Sequence, residues 1–199
     1  MGDNGGMRSL TIQKEDAVCV LIDIQERLMP GMNNGAQMEE TMVKLVRGCR
    51  LLDIPILVTQ QYSKGLGLTT AAVIEALTAS MNDQVPEAEF SPIEKTSFSA
   101  MKEPEFTKAL EGINRKTVIL AGVEAHVCVL QTALHLIEAG YTVYGVLDCM
   151  SSRTSENKEL GQIRMAQSGV IVTGCETVLF ELLADAKASV FKQISAIVK

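Results

Sequence analysis

The sequence predicts an α/β fold: three αβα layers around a doubly wound, mostly parallel, Rossmann-like sheet with strand order 3-2-1-4-5-6. Two observations predict it. Short β-branched apolar runs alternate along the chain with segments of helical periodicity, and such alternation builds a parallel sheet covered on both faces. The first run, Ala17-Val18-Cys19-Val20-Leu21-Ile22, is continuously apolar, the pattern of a strand buried on both sides.

The elements follow in order. After the Ala17 to Ile22 strand, Met42, Leu45, Val46 and Cys49 recur at helical spacing within Met38 to Leu52. Pro55 leads into a strand from Ile56 to Thr59. The Gly65-Leu66-Gly67 loop precedes a short helix, Thr69 to Thr78, and Glu89 to Phe90 reads as a short strand. Pro104 starts a helix over Glu105 to Leu110, because proline fits the first helical turn. Val118 to Ala121 is a strand, and Val129 to Glu138 a helix stopped by Gly140. Thr142 to Leu147 is a strand, Glu156 to Gln167 a helix stopped by Gly169, and Val170 to Val172 the last strand. Thr177 to Ala184 and Phe191 to Val198 are the closing helices. With no internal repeat and no linker, the 199 residues form one domain, long enough to bury a full core. Met1 to Leu10 is polar and Gly-rich, lacks the apolar core of a signal peptide, and reads as a flexible tail.

Composition excludes several functions. The net charge is −6 with no basic cluster, which argues against a nucleic-acid partner, since phosphates must be neutralised by Lys and Arg. No apolar run is long enough to span a bilayer, so no membrane partner is expected. The five cysteines are odd in number and widely spaced, without a C-x-x-C pair. That is a reduced, intracellular set and points to a cytoplasmic protein. His126 and His135 are the only histidines and form no recognisable ligand set, so neither a metal nor another cofactor is expected.

In doubly wound sheets ligands bind beyond the carboxyl ends of the strands, where strand order reverses. The polar residues at such ends are Asp23, then Gln60, Gln61 and Tyr62, then Cys128, then Asp148 and Cys149. The expected order puts the first and fourth strands side by side, so Asp23 and Cys128 would face one another. Cys128 falls in the first turn of its helix, where free N–H groups and the helix dipole favour a thiolate and offer donors to an oxyanion. Each residue also has a plainer reading. Asp23 could equally cap the next turn. A free cysteine often just fills space, as Cys19 and Cys49 do here. Cys175 also opens a helix after a strand, though away from the switch point, and Asp148 is a rival carboxylate. His126 is too close to Cys128 along the turn for their side chains to pair. Lys95, taken alone, reads as a solvated loop residue.

Three segments taken together are similar to a known family. Val20-Leu21-Ile22-Asp23-Ile24-Gln25, Glu94-Lys95-Thr96-Ser97-Phe98-Ser99 and Ala121-Gly122-Val123-Glu124-Ala125-His126-Val127-Cys128-Val129 resemble the isochorismatase-like cysteine hydrolases, in the family's order and spacing. The resemblance runs from about Ala17 to the C-terminal helix. Thr59-Gln60-Gln61-Tyr62, Gly65-Leu66-Gly67 and Ser151-Ser152-Arg153 further resemble the isochorismatase domain-containing protein subgroup. The resemblance implies that Cys128 is a nucleophile, Asp23 its acid/base and Lys95 the third member that holds and polarises the pair. It also implies a cis peptide at Val123–Glu124, turning the Glu124 N–H, with that of Cys128, toward an oxyanion. Two departures narrow it. The Asp/His metal site of the family's nicotinamidases has no counterpart after the second strand, where the chain reads Thr59-Gln60-Gln61-Tyr62-Ser63-Lys64. Isochorismatases that cleave a vinyl ether lack the cysteine that is present here.

The expected chemistry is therefore metal-independent acyl transfer: hydrolysis of an amide-type C–N bond of a small molecule through a thioester on Cys128. For it to work, Lys95 and the helix dipole have to outweigh the repulsion that the Asp23 carboxylate exerts on a thiolate. The alternative is a binding or scaffolding protein that keeps the fold with little turnover. Gln25, Gln61, Tyr62 and Phe98 are the candidate substrate-binding residues, with Tyr62 and Phe98 reading equally as core or subunit contacts. A homo-oligomer is implied by the resemblance.

Overall fold

The computed structural model describes residues 10–81 and 85–199. The tail expected over Met1 to Leu10 lies outside them apart from Leu10, which is exposed. Six strands form one parallel sheet: β1 (Ala17–Ile22), β2 (Ile56–Gln61), β3 (Ile93–Lys95), β4 (Thr117–Val123), β5 (Thr142–Ser151) and β6 (Ile171–Thr173). Their order is β3-β2-β1-β4-β5-β6, as the sequence predicts. The central strands β1 and β4 are buried along their whole length, which is why they read as unbroken apolar runs.

Two cores flank the sheet. On one face pack α1 (Gly35–Leu51), α3 (Ala71–Thr78), α7 (Cys175–Leu183) and α8 (Phe191–Val198), against Cys19, Leu21, Ile119 and Ala121. On the other pack α4 (Pro104–Ile113), α5 (Leu130–Glu138) and α6 (Ser155–Gln167), against Val18, Val20, Val118 and Leu120. A single helical turn, α2 (Ser63–Leu66), follows β2. Pro104 opens α4, as expected. The Thr154 hydroxyl caps α6 by accepting from the Asn157 N–H at 3.2 Å.

Four elements differ from the sequence reading, the first being α2, which occupies Ser63–Leu66 where a loop through Gly65-Leu66-Gly67 is expected. The third strand is Ile93–Lys95, not Glu89 to Phe90. A three-residue strand holding one apolar residue has no periodicity to read, and it forms because β2 offers it a partner, pairing Gln61 with Lys95. β5 continues past Leu147 to Ser151, so Asp148 and Cys149 lie inside the strand rather than beyond it. The helical path at Cys128 begins at Ala125, in a wide π-type turn (Ala125–Val129) that runs directly into α5.

Gly122 brings the two central strands together. Its φ is +131°, and a Cβ there would fall far inside contact distance of the Ile22 backbone. Only glycine lets β4 pass this close to the end of β1. Asp23 leaves β1 at φ +55°, a left-handed conformation that Asp tolerates better than most residues. That turn directs its side chain back toward the ends of β2 and β3.

Candidate active site

The ends of β1, β3 and β4 bring Asp23, Lys95 and Cys128 together. Asp23 and Lys95 are buried, and their side chains are fully excluded from solvent. Lys95 Nζ lies 2.7 Å from Asp23 Oδ2. The same ammonium donates to Gln61 Oε1 at 2.6 Å and to the carbonyls of Ser97 and Phe98, both at 3.2 Å. Four oxygens thus surround the three ammonium protons, with Asp23 Oδ2 and Gln61 Oε1 the two nearest. The other Asp23 oxygen, Oδ1, accepts from the Thr59 hydroxyl at 2.7 Å. Thr59 stands in register with Ile22, so the β1–β2 pairing itself delivers that hydroxyl to Asp23.

The Cys128 thiol is the third neighbour of the carboxylate, and the charge of Asp23 acts on it directly. Burial raises the Asp23 carboxyl above the usual carboxylate range, against the opposing pull of Lys95, Thr59 and Cys128. Burial also pushes the Cys128 thiol up to about 12, with the Asp23 charge adding to the rise and Lys95 opposing it. Burial and the Asp23 charge thus favour the protonated thiol, against the opposing effect of Lys95.

The competing readings resolve on contacts. Cys19, Cys49, Cys149 and Cys175 all lie in the core on the α1 and α7 side, and Cys128 alone of the five packs in the opposite core. Both oxygens of Asp148 accept from the Cys175 N–H, at 2.9 and 3.1 Å. This rival carboxylate caps the start of α7, outside the site. His126 Nδ1 pairs with Ser152 Oγ at 3.0 Å and His135 Nδ1 with Ser99 Oγ at 2.8 Å, so neither histidine contact runs to the thiol. Among the described residues, no three His, Cys, Asp or Glu side chains converge as a metal site requires.

The Val123–Glu124 peptide is cis, as the resemblance implies. The Glu124 carboxylate accepts from the backbone N–H and Nε of Arg153, both at 3.0 Å. Gln25 is buried and its amide is occupied by backbone. Its Nε2 donates to Gln61 O at 3.1 Å and Gly67 O at 2.7 Å, and its Oε1 accepts from the Gln61 N–H at 2.8 Å. Gln61 uses Oε1 on Lys95 and Nε2 on Thr96 O. Both glutamines brace the strand ends. Tyr62 and Phe98 are more than half exposed, at 56% and 55%, which removes their reading as core residues. The Tyr62 N–H donates to Lys95 O and the Phe98 carbonyl accepts from Lys95 Nζ, so both rings stand on the segments that enclose the ammonium.

Sequence reasoning missed Thr59 as a partner of Asp23, although its place at the end of β2 was readable. It also missed Thr132, whose signal is only a hydroxyl one helical turn after Cys128.

Comparison with known proteins places this arrangement in context. Residues 17–177 match the isochorismatase domain family. Isochorismatase domain-containing protein 2A of Mus musculus is 34% identical over 192 residues, 94% of this chain and 85% of that protein. Among solved structures, the MAR1 ribonuclease from Caenorhabditis elegans matches at 33% identity with a TM-score of 0.84, covering 94% of this chain and 92% of that one. The YcaC gene product of Escherichia coli, an octameric hydrolase of unknown specificity, matches at 21% identity with a TM-score of 0.84, covering 96% of this chain and 91% of that one. At that identity it speaks to the fold alone.

Proposed function

This chain belongs to the isochorismatase family, and from that premise we propose that it is a metal-independent cysteine hydrolase cleaving the amide-type C–N bond of a small molecule. The observation that carries the reading is the buried Asp23–Lys95 ion pair against the Cys128 thiol.

Because burial and the Asp23 charge favour the protonated thiol, proton transfer and attack are coupled. Cys128 Sγ bonds to the carbonyl carbon as its proton passes to Asp23, which burial has made more basic than an ordinary carboxylate. The N–H groups of Glu124 and Cys128 receive the oxyanion; one such donor is typically worth about 3 kcal/mol of barrier. As the C–N bond breaks, Asp23 gives its proton to the leaving amine. Water then gives a proton to Asp23 and attacks the thioester, the C–S bond breaks, and the thiolate regains its proton from Asp23. The net change is amide plus water to acid plus amine. Lys95 stays charged throughout and offsets the negative charge of Asp23 and of the departing thiolate. Gln25 and Gln61 act as braces. Tyr62 and Phe98 provide an exposed aromatic rim suited to an apolar group on the substrate.

The reading extends to assembly. Leu160 and Ile163 are exposed on α6, with Glu156 one turn before Leu160 and Arg164 one turn after it. Two copies of α6 pairing antiparallel across a two-fold would join the leucines and set each Glu156 against the other Arg164. We assign this face to a homo-oligomer.

The test is release of ammonia or amine over a panel of small amides, for wild type and Cys128→Ala, with single-stranded RNA as a parallel substrate. Amine release abolished by Cys128→Ala supports the hydrolase. Release unchanged in that variant, or RNA cleavage without any amide turnover, sinks it. The charge of −6 speaks against RNA, and ribonuclease is the name of the nematode protein.

A further inference from the structure

The helix that follows Cys128 reaches across to the loop that encloses Lys95. Thr132 is fully buried on α5. Its hydroxyl donates to the Cys128 carbonyl at 2.7 Å and accepts from the Ala100 N–H at 3.0 Å. One turn further along α5, His135 holds Ser99 through the Nδ1–Oγ contact at 2.8 Å. Ser99 and Ala100 directly follow Ser97 and Phe98, whose carbonyls hold Lys95 Nζ. Glu103 fixes the start of the same loop, accepting from the N–H groups of Thr96 and Ser97 and from the Ser97 hydroxyl.

The nucleophile and the ammonium come from strands at different places in the sheet, β4 and β3, with β1 and β2 between them. Sheet pairing alone sets their separation only through two intervening registers. Thr132 provides a direct link. Its oxygen carries one hydrogen bond to each side, using its only proton on Cys128 and a lone pair on Ala100. A hydroxyl is the one group of this size that can do both. A mid-helix threonine bonding back to the preceding turn is ordinary. The buried N–H it accepts from a separate loop is not accounted for by helix geometry.

We infer that Thr132 is a positioning residue of the proposed hydrolase, fixing the distance between the Cys128 turn and the carbonyl cage of Lys95. The inference rests on the hydrolase reading. It predicts that Thr132 acts on the thiol through Lys95, whose charge favours the thiolate.

The experiment measures site-resolved alkylation of the full chain by iodoacetamide at pH 8, comparing Cys128 with Cys19 and Cys49 by mass spectrometry. Wild-type Cys128 is expected to react fastest of the three. Thr132→Val, which keeps the shape and removes the hydroxyl, is expected to slow Cys128 roughly five- to tenfold, the order of one lost hydrogen bond. Thr132→Ser is expected to stay within about twofold of wild type. In a Lys95→Gln background, Thr132→Val is expected to add less than about twofold, because residues acting through one another are non-additive. Thr132→Ala is the second variant should valine not fold. Full reactivity in a folded Thr132→Val or Thr132→Ala protein overturns the inference alone, as does an undiminished effect in the Lys95→Gln background. Wild-type Cys128 reacting no faster than Cys19 also overturns this inference, whereas the hydrolase reading falls only if amine release persists unchanged in Cys128→Ala or RNA is cleaved without any amide turnover.

Discussion

Lys95 Nζ and Asp23 Oδ2 meet at 2.7 Å with neither side chain touching solvent. Two opposite charges in such a place stabilise one another only as a pair, since each alone would carry the full cost of desolvation. Lys95→Met is expected to destabilise the protein by about 3–5 kcal/mol at neutral pH. The sign of its pH dependence follows from Asp23. Its folded pKa is already raised and rises further without Lys95. A group raised in the folded state contributes stability at low pH and loses it as pH rises through its folded pKa. The deficit of Lys95→Met should therefore shrink toward pH 4 and widen toward pH 8, as read by urea denaturation at both ends.

Thr59 tunes the proposed base. Its hydroxyl bond to Oδ1 lowers the Asp23 carboxyl against the larger effect of burial. Thr59→Val removes that bond at nearly constant volume. The acid limb of amide hydrolysis, which reports Asp23 losing its proton, is then expected to move to higher pH. A pH–rate profile whose acid limb moved down or stayed in place would remove Asp23 as the base.

Glu103 governs the loop that cages Lys95. The Ser97 hydroxyl, then the N–H groups of Ser97 and Thr96, hold its carboxyl below the usual range. A group lowered in the folded state contributes stability above its unfolded pKa and loses it as pH falls through the folded one. Glu103→Ala is expected to cost about 1 kcal/mol at pH 7, near the low end for a carboxylate accepting N–H groups because water screens it. Thermal melts of variant and wild type should converge as the pH drops below 4.

Gly122 and Gly161 set two close approaches. Gly122→Ala would drive a methyl into the Ile22 backbone at φ +131° and is expected to cost about 4 kcal/mol or more, seen as loss of soluble folded protein. At Gly161 a Cβ would lie 2.8 Å from the Ala125 carbonyl oxygen, on the turn that carries Cys128. Gly161→Ala should therefore slow Cys128 alkylation in protein that still shows a cooperative thermal melt.

The α6 face can be tested without a substrate. Leu160→Glu with Ile163→Glu is expected to give monomers by light scattering, under conditions where wild type forms a larger species. Assembly that survives both charges would exclude this face.

By itself the chain determined the architecture. Central strands buried on both faces leave unbroken apolar runs, and helices packed on one side leave apolar residues three and four apart, so Ala17–Ile22 and the α1 stripe were legible. The Rossmann-like sheet order adopted for such an alternation matched. Asp23 and Cys128 were legible as polar residues at strand ends, one leaving β1 and the other just beyond β4. The family motifs drew in Lys95, which spacing alone left on the surface. Tertiary structure decided the rest, because those properties depend on neighbours distant in sequence. Lys95 became a buried ammonium only where β3 pairs with β2 and the Ser97 and Phe98 carbonyls close over it. Burial and Asp23 push the Cys128 thiol upward, opposite to the direction expected from its helix position. Desolvation is a sum over everything packed around a group, and no local stretch of sequence contains that sum.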